Sequence, residues 1–317
     1  MMEQAAPDIS AYLSQFEFAT SASEKFDREA AVAVKAYAKA HYEFVVALHR
    51  SGASGSAVNR ANSEGVDRLI RRLTRMAQTA HFAAGGEAGE DLAVVAAGGY
   101  ARQEMSVHSD IDLLFLYSGK LTGLARSVAE RVQYWLWDGG LKVGGAVRSA
   151  AETIKLAKRD ETIATNILDA RYLAGETRVY HALLTSIWDD LLRPPAAFVR
   201  AQQRSMEERH AKFGESVYLL QPNLKEGAGG LRDYHAAYWI ARATVPRIGR
   251  AGDFLHRGLL SEREMAAFWD ALEFLWRVRN ELHIQEGRAA DQMSFEQQER
   301  LAVALHYADG GPGELPV

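Results

Sequence analysis

The chain has 317 residues, 48% of them hydrophobic and 25% charged, enough for two compact folded domains and unlike a disordered or fibrous protein. Its 37 Lys and Arg nearly balance 41 Asp and Glu, so overall charge gives no pull toward nucleic acid. The absence of cysteine excludes disulfides and thiolate metal sites and suits a reducing cytoplasm; with no signal-peptide layout and no apolar run of about 20 residues, no membrane partner is expected.

In chain order, Phe26 to His49 is rich in Ala, Glu and Lys and predicts a helix. After the break "SGASGSAVN", Val66, Leu69, Ile70 and Leu73 predict a second helix by their spacing. "AAGGEAGE" (83–90) reads as a linker, and "DLAVVAAGG" after it changes to a short apolar run ending in glycine. Strands are expected over 92–97 and 111–117, then a helix with Leu121, Leu124, Val128, Val132, Trp135 and Leu136 on its apolar face, then a third strand within "DGGLKVGGAVRSA". From about 150 onward the periodicity is helical, broken at 218–233 by "YLLQPNLKEGAGGLRD". The tail "ADGGPGELPV" ends without a structural stop and reads as cut.

The chemistry gathers in "AAGGYARQEMSVHSDIDLLFLY" (96–117). Alternation along a strand puts Asp110 and Asp112 on one face, with Ile111 turned into the core. Two carboxylates so close raise each other's pKa unless a cation lies between them, and a hard divalent ion such as Mg2+ with phosphate oxygens answers that need. Gly98 and Gly99 form a turn where backbone amides can approach an anion. Gly98, Gly99, Arg102 and Ser109 are therefore expected at a nucleoside triphosphate, and Asp110 and Asp112 at two magnesium ions.

Gly-Gly followed by Ser-Asp-x-Asp resembles the signature of the polymerase-β-type nucleotidyltransferase superfamily. "QPNLKEGAGGLRDYHAAYWIAR" and "FLWRVRNELHIQEGRAADQMSFEQQERLA" resemble the bacterial PII uridylyltransferase/uridylyl-removing family, as do "WDGGLKVGGAVRS" and "ATNILDARYLAG". The resemblance implies an α+β fold: an N-terminal helical segment (1–83), a small mixed-sheet nucleotidyltransferase domain (84–175) and a helical domain (176–317). It also implies a reaction, transfer of UMP from UTP to a tyrosine of the PII signal protein. In that family a phosphohydrolase domain and two small-ligand-binding domains follow, so the chain reads as an N-terminal portion.

Departures accompany the matches. Family members commonly read Gly-Tyr-Gly-Arg-Gly-Glu-Leu where this chain has Ala101 and Gln103 in place of the second and third glycines. The superfamily often draws a third carboxylate from the third strand; Lys142 stands there as a cation, and Asp169 is a candidate substitute. Two alternatives follow, a transferase with another nucleotide or acceptor, and a degenerate nucleotide-sensing or protein-binding module.

Asn223, Lys225 and Arg232 could meet base, ribose and phosphate, or could belong to a structural loop in which Arg232 and Asp233 cap the next helix. Arg148 could approach phosphate or pair with an acid. His283 is expected to be packed, Arg288 to cap carbonyls, His108 to be an exposed turn residue, and helix 200–214 to carry a solvated face.

Overall fold

Ser23 starts the first long helix: its Oγ accepts the Phe26 amide at 3.2 Å, with Glu24 and Asp27 in the first turn and His49 and Arg50 in the last, as the helix dipole favours. The computed structural model describes residues 6–16, 23–87, 89, 91–121, 123–214, 219–245 and 253–307. The tail from 308 and part of the 83–90 linker lie outside the described residues. The chain forms two compact units, one of residues 1–51, 58–105 and 109–191, the other of 52–57, 106–108 and 192–317. Among the described residues no helix is long and apolar enough to cross a membrane.

The elements assigned to the first unit are α1 (Ser10–Leu13), α2 (Glu24–Arg50), most of α3 (Gly55–Ala83), β1 (Asp91–Ala96), α4 (Gly98–Ala101), β2 (Ile111–Ser118), α5 (Leu124–Asp138), β3 (Val143–Ser149), α6 (Ala150–Ala157), α7 (Glu161–Leu168), β4 (Arg171–Gly175) and α8 (Thr177–Ser186). The sheet runs β3-β2-β1-β4, with β1 antiparallel to both β2 and β4, and β2 parallel to β3. This mixed sheet among helices is the expected α+β class.

Alternation sorts the two faces. Leu92, Val94, Ala96, Ile111, Leu113 and Phe115 join one core with the buried sides of α2, α3 and α5. The intervening side chains, Leu114 and Leu116 among them, face the side where α6 and α8 pack. On α5 the expected stripe is buried at Leu124, Val128, Val132, Trp135 and Leu136, and Trp135 Nε1 and Arg131 Nη1 both donate to Asp27 Oδ1 on α2, at 3.0 and 2.7 Å. Helical periodicity had been expected throughout the region from 150, but Arg171–Gly175 forms a fourth strand. Its partner β1 lies about 80 residues earlier, so pairing across the sheet, and no local alternation, decides its conformation.

The second unit carries α9 (Pro195–Phe213), α10 (Leu231–Thr244), α11 (Asp253–His256), α12 (Glu262–Glu286) and α13 (Phe295–Ala304). Ser261 and Ser294 open α12 and α13 with reciprocal capping boxes, to Glu264 and Gln297. On α12, Leu272 and Trp276 pack with Leu231, and Leu224, Val278, Leu282 and Leu301 form a second cluster.

Candidate active site

Asp110 is exposed and Ser109 half-buried just before β2, while Asp112 is the second residue of that strand. In the parallel register Asp112 stands opposite Gly144, and its carbonyl accepts the Ala97 amide at 3.0 Å, joining the end of β1 to the start of β2. A Cβ on Gly98 would lie 2.9 Å from Asp112 Oδ2, and one on Gly144 3.3 Å from Oδ1. Glycines therefore border both oxygens of one carboxylate. Gly98 also adopts φ +56°, a left-handed conformation costly for other residues. Gly98→Ala is expected to destabilise the first unit by about 1–2 kcal/mol, and to displace Asp112, read as a lower unfolding midpoint in thermal denaturation.

The short α4 turn is held from below by two ion-pair systems. Arg102 gives Nε to Glu104 at 2.8 Å and Nη1 to Asp169 at 3.1 Å, with its side chain 10% and that of Asp169 4% exposed. Burial opposes the charge on Arg102, but Glu104 and Asp169 outweigh it and hold its pKa above the ordinary arginine value. Its Nη2 lies 3.8 Å from where a Gly99 Cβ would stand, the nearest atom to that point. Asp169, considered above as a third metal ligand, is instead a counterion to Arg102, because a guanidinium this buried requires one.

Arg171, at the start of β4, grips the other end of α4. Its Nε donates to the Ala101 carbonyl at 3.0 Å, its Nη2 to that of Tyr100 at 3.2 Å, and it pairs with Asp67 of α3 at 2.6 and 3.0 Å. Tyr100 Oη donates to the same Asp67 at 2.7 Å, and burial, reinforced by the Asp67 charge, keeps the phenol pKa well above its usual value. Gln103 occupies φ +59°, the left-handed region where a glycine would rest without strain. Gln103→Gly is expected to leave the turn intact and to change stability by less than about 1 kcal/mol, because relief of strain offsets the added chain entropy; urea unfolding measures it.

The Asp112 oxygens, beside a turn whose first amides have no intrahelical partner, are of the kind a hard cation with phosphate would use. Among the described residues no three His, Asp or Glu side chains group as a ready metal cage. A cation here would rest on Asp110 and Asp112 and complete its shell with neutral or substrate oxygens, as magnesium commonly does. Lys142 is exposed, and its backbone carbonyl accepts the Ile111 amide at 2.9 Å, so it contributes register and no ligand.

In the second unit, the 223–232 segment is a tightly bonded loop. Asn223 Oδ1 accepts the amides of Lys225 and Glu226 at 3.0 and 2.7 Å, which makes it the loop's internal cap. Lys225 and Arg232 flank Glu226 at 3.6 and 3.4 Å. Burial lowers the Lys225 pKa, and the charges of Arg232 and Arg279 add to the effect. Asp233 accepts the Gly229 amide at 2.8 Å and is paired with Arg209 and His210 of α9. The C-terminal part of α9 thus supports this loop through Arg209 and His210, while Gln203, Arg204, Glu207, Glu208 and Lys212 form the expected solvated face. His283 is fully buried as expected; His108, expected in the open, is half-buried with its amide 3.4 Å from His283 Nδ1. Arg288 donates to the Ala289 carbonyl beyond α12 rather than to the helix end.

These sequences have recognisable relatives. Residues 39–144, which include the glycine turn and both acids, match the nucleotidyltransferase family model DUF294, and residues 197–315 match that of GlnD PII-uridylyltransferase. The chain is 45% identical over 220 residues to the bifunctional uridylyltransferase/uridylyl-removing enzyme of Nitrobacter winogradskyi, 69% of this chain and 24% of that protein. The enzyme of the same description from Rhodospirillum rubrum is 40% identical over 262 residues, 82% of this chain and 28% of that protein. The chain belongs to this uridylyltransferase/uridylyl-removing family. It spans about a quarter of the length of these curated relatives.

The residues of this family member that escaped sequence reasoning are Asp67, Glu104, Asn166 and Arg171. Three of the contacts come from one short segment, "NILDAR" (166–171): Asn166 at Gly98, Asp169 at Arg102 and Arg171 at the α4 carbonyls. That segment lies within "ATNILDARYLAG", whose likeness to the uridylyltransferase family was the available signal, although no spacing rule assigned it a role.

Proposed function

We propose that the first unit transfers UMP from UTP to a tyrosine of a PII-type signal protein in the cytoplasm. The observation that carries this reading is the Asp112 carboxylate bordered by Gly98 and Gly144 in a chain of the uridylyltransferase family. Asp110 and Asp112 would hold two magnesium ions, which would polarise the α-phosphate and stabilise the attacking and leaving oxygens. The Gly98–Gly99 turn offers backbone amides to the triphosphate, with Ser109 beside it and Arg102 fixing the turn from the protein side. The tyrosine oxygen forms a bond to the α-phosphorus, the bond to the β-phosphate oxygen breaks, pyrophosphate leaves and the phenolic proton passes to solvent. In the second unit Lys225 and Arg232 are proposed to bind an anion. Support comes from the Lys225 pKa, which burial and like charge already press down and a phosphate would relieve. Asn223 shapes the loop that presents them.

The test is incubation of the chain with each labelled nucleoside triphosphate, magnesium and a PII protein, with Asp110→Asn/Asp112→Asn as control. Label passing to PII from UTP in preference to ATP, CTP and GTP, and lost in the control, is the expected result. Equal transfer from all four nucleotides overturns the base preference. Tight UTP binding without transfer favours a nucleotide-sensing module, a second reading to which Lys142, just before the third strand, lends weight.

A further inference from the structure

Asn166 has no assigned part, yet it reaches the centre of the candidate site. It lies in the last turn of α7, a helix anchored at its start by Asp160, whose Oδ1 accepts the Thr162 and Ile163 amides at 2.8 and 3.2 Å, and along its side by buried Ala164, Ile167 and Leu168. Three residues on, Asp169 is held by Arg102. The backbone on both sides of the half-buried Asn166 is therefore anchored. That position places Oδ1 3.2 Å from the point where a Gly98 Cβ would stand, and Asp112 Oδ2 lies 2.9 Å from the same point. A carboxylate oxygen and an amide oxygen from different elements therefore border the same glycine. A hard cation held by carboxylates accepts a neutral amide oxygen as a further ligand.

We propose that Asn166 Oδ1 is the third protein oxygen of the cation site, serving with Asp110 and Asp112 in place of a third carboxylate. The inference rests on the proposed metal-dependent transfer. A neutral amide suits a site with two carboxylates already in place: it supplies a hard oxygen without adding a third negative charge to the pair. It also accounts for Lys142 at the entrance to the third strand and for Asp169 pairing with Arg102, since neither is then needed as a ligand. The competing geometry has the amide turned over, its Nδ2–H donating to Asp112. The two roles part on one substitution: a carboxylate at 166 can bind a cation but cannot donate a hydrogen bond.

Manganese serves as the probe, with its binding followed by electron paramagnetic resonance in the presence of a UTP analogue that cannot be cleaved between the α- and β-phosphates. Wild type, Asp112→Asn, Asn166→Ala and Asn166→Asp are compared, each checked for its unfolding midpoint. Asn166→Ala is expected to weaken manganese binding about tenfold or more, and Asn166→Asp to restore or tighten it. If Asp112→Asn loses manganese while Asn166→Ala binds it like wild type, the role of Asn166 is overturned and the metal site stands. If both Asn166 variants lose it equally, the hydrogen-bond role replaces the ligand role. Should Asp112→Asn bind like wild type, the cation site itself is misplaced and this inference falls with it.

Discussion

Asp112→Asn is expected to slow UMP transfer at least about a thousandfold, roughly 4 kcal/mol of barrier, while moving the unfolding midpoint by less than about 2 °C. The disparity is the informative part. The substitution keeps the shape between Gly98 and Gly144 and the backbone bond from Ala97, so the strand and turn have no reason to move. What it removes is half the formal charge that would attract a divalent ion and triphosphate. Single-turnover transfer from labelled UTP gives the rate, and circular dichroism on heating gives the midpoint. A fall of less than tenfold would separate this carboxylate from the chemistry. A large loss of stability would instead make Asp112 a structural acid.

The opposite pattern is expected at Asp67. Asp67→Asn should cost about 3–5 kcal/mol and lower the midpoint by roughly 10 °C, because it leaves the Arg171 guanidinium in a largely buried position without its acid. The Asp67 side chain is 6% exposed and answers Arg171, Arg71 and the Tyr100 hydroxyl together, so no water can readily replace it. Transfer should also suffer, since Arg171 carries the Tyr100 and Ala101 carbonyls at the end of the glycine turn. Urea unfolding and the same transfer assay measure both effects. A loss below 1 kcal/mol would mean that the two carbonyls and the ring of Tyr100, 5.4 Å from the guanidinium, hold Arg171 unaided.

Local patterns made part of this molecule legible. Strands β1 and β2 announce themselves as apolar runs beside a glycine turn, and α5 through five apolar residues at helical spacing, Leu121 of the expected face falling before the helix, because period and burial are set by neighbours a few residues away. Asp110 and Asp112 stand out for the same reason: two acids at the entrance to a buried strand conflict with hydrophobic burial unless chemistry calls for them. Strand β4 gave no such signal, with five residues, a mixed burial pattern and a partner strand far back in the chain.

Sequence by itself thus determined the α+β class, the glycine turn and the pair of acids. Only the tertiary structure decided what surrounds them: that Arg102 is balanced by Asp169, that Arg171 joins Asp67 to α4, that Asn166 faces Gly98 beside Asp112, and that Asn223 closes a loop on its own amides. The physical reason is range. Periodicity is written between near neighbours along the chain, whereas a buried charge takes whichever partner the folded backbone brings within 3 Å or so, and residues 67 and 171 share no spacing that could announce it.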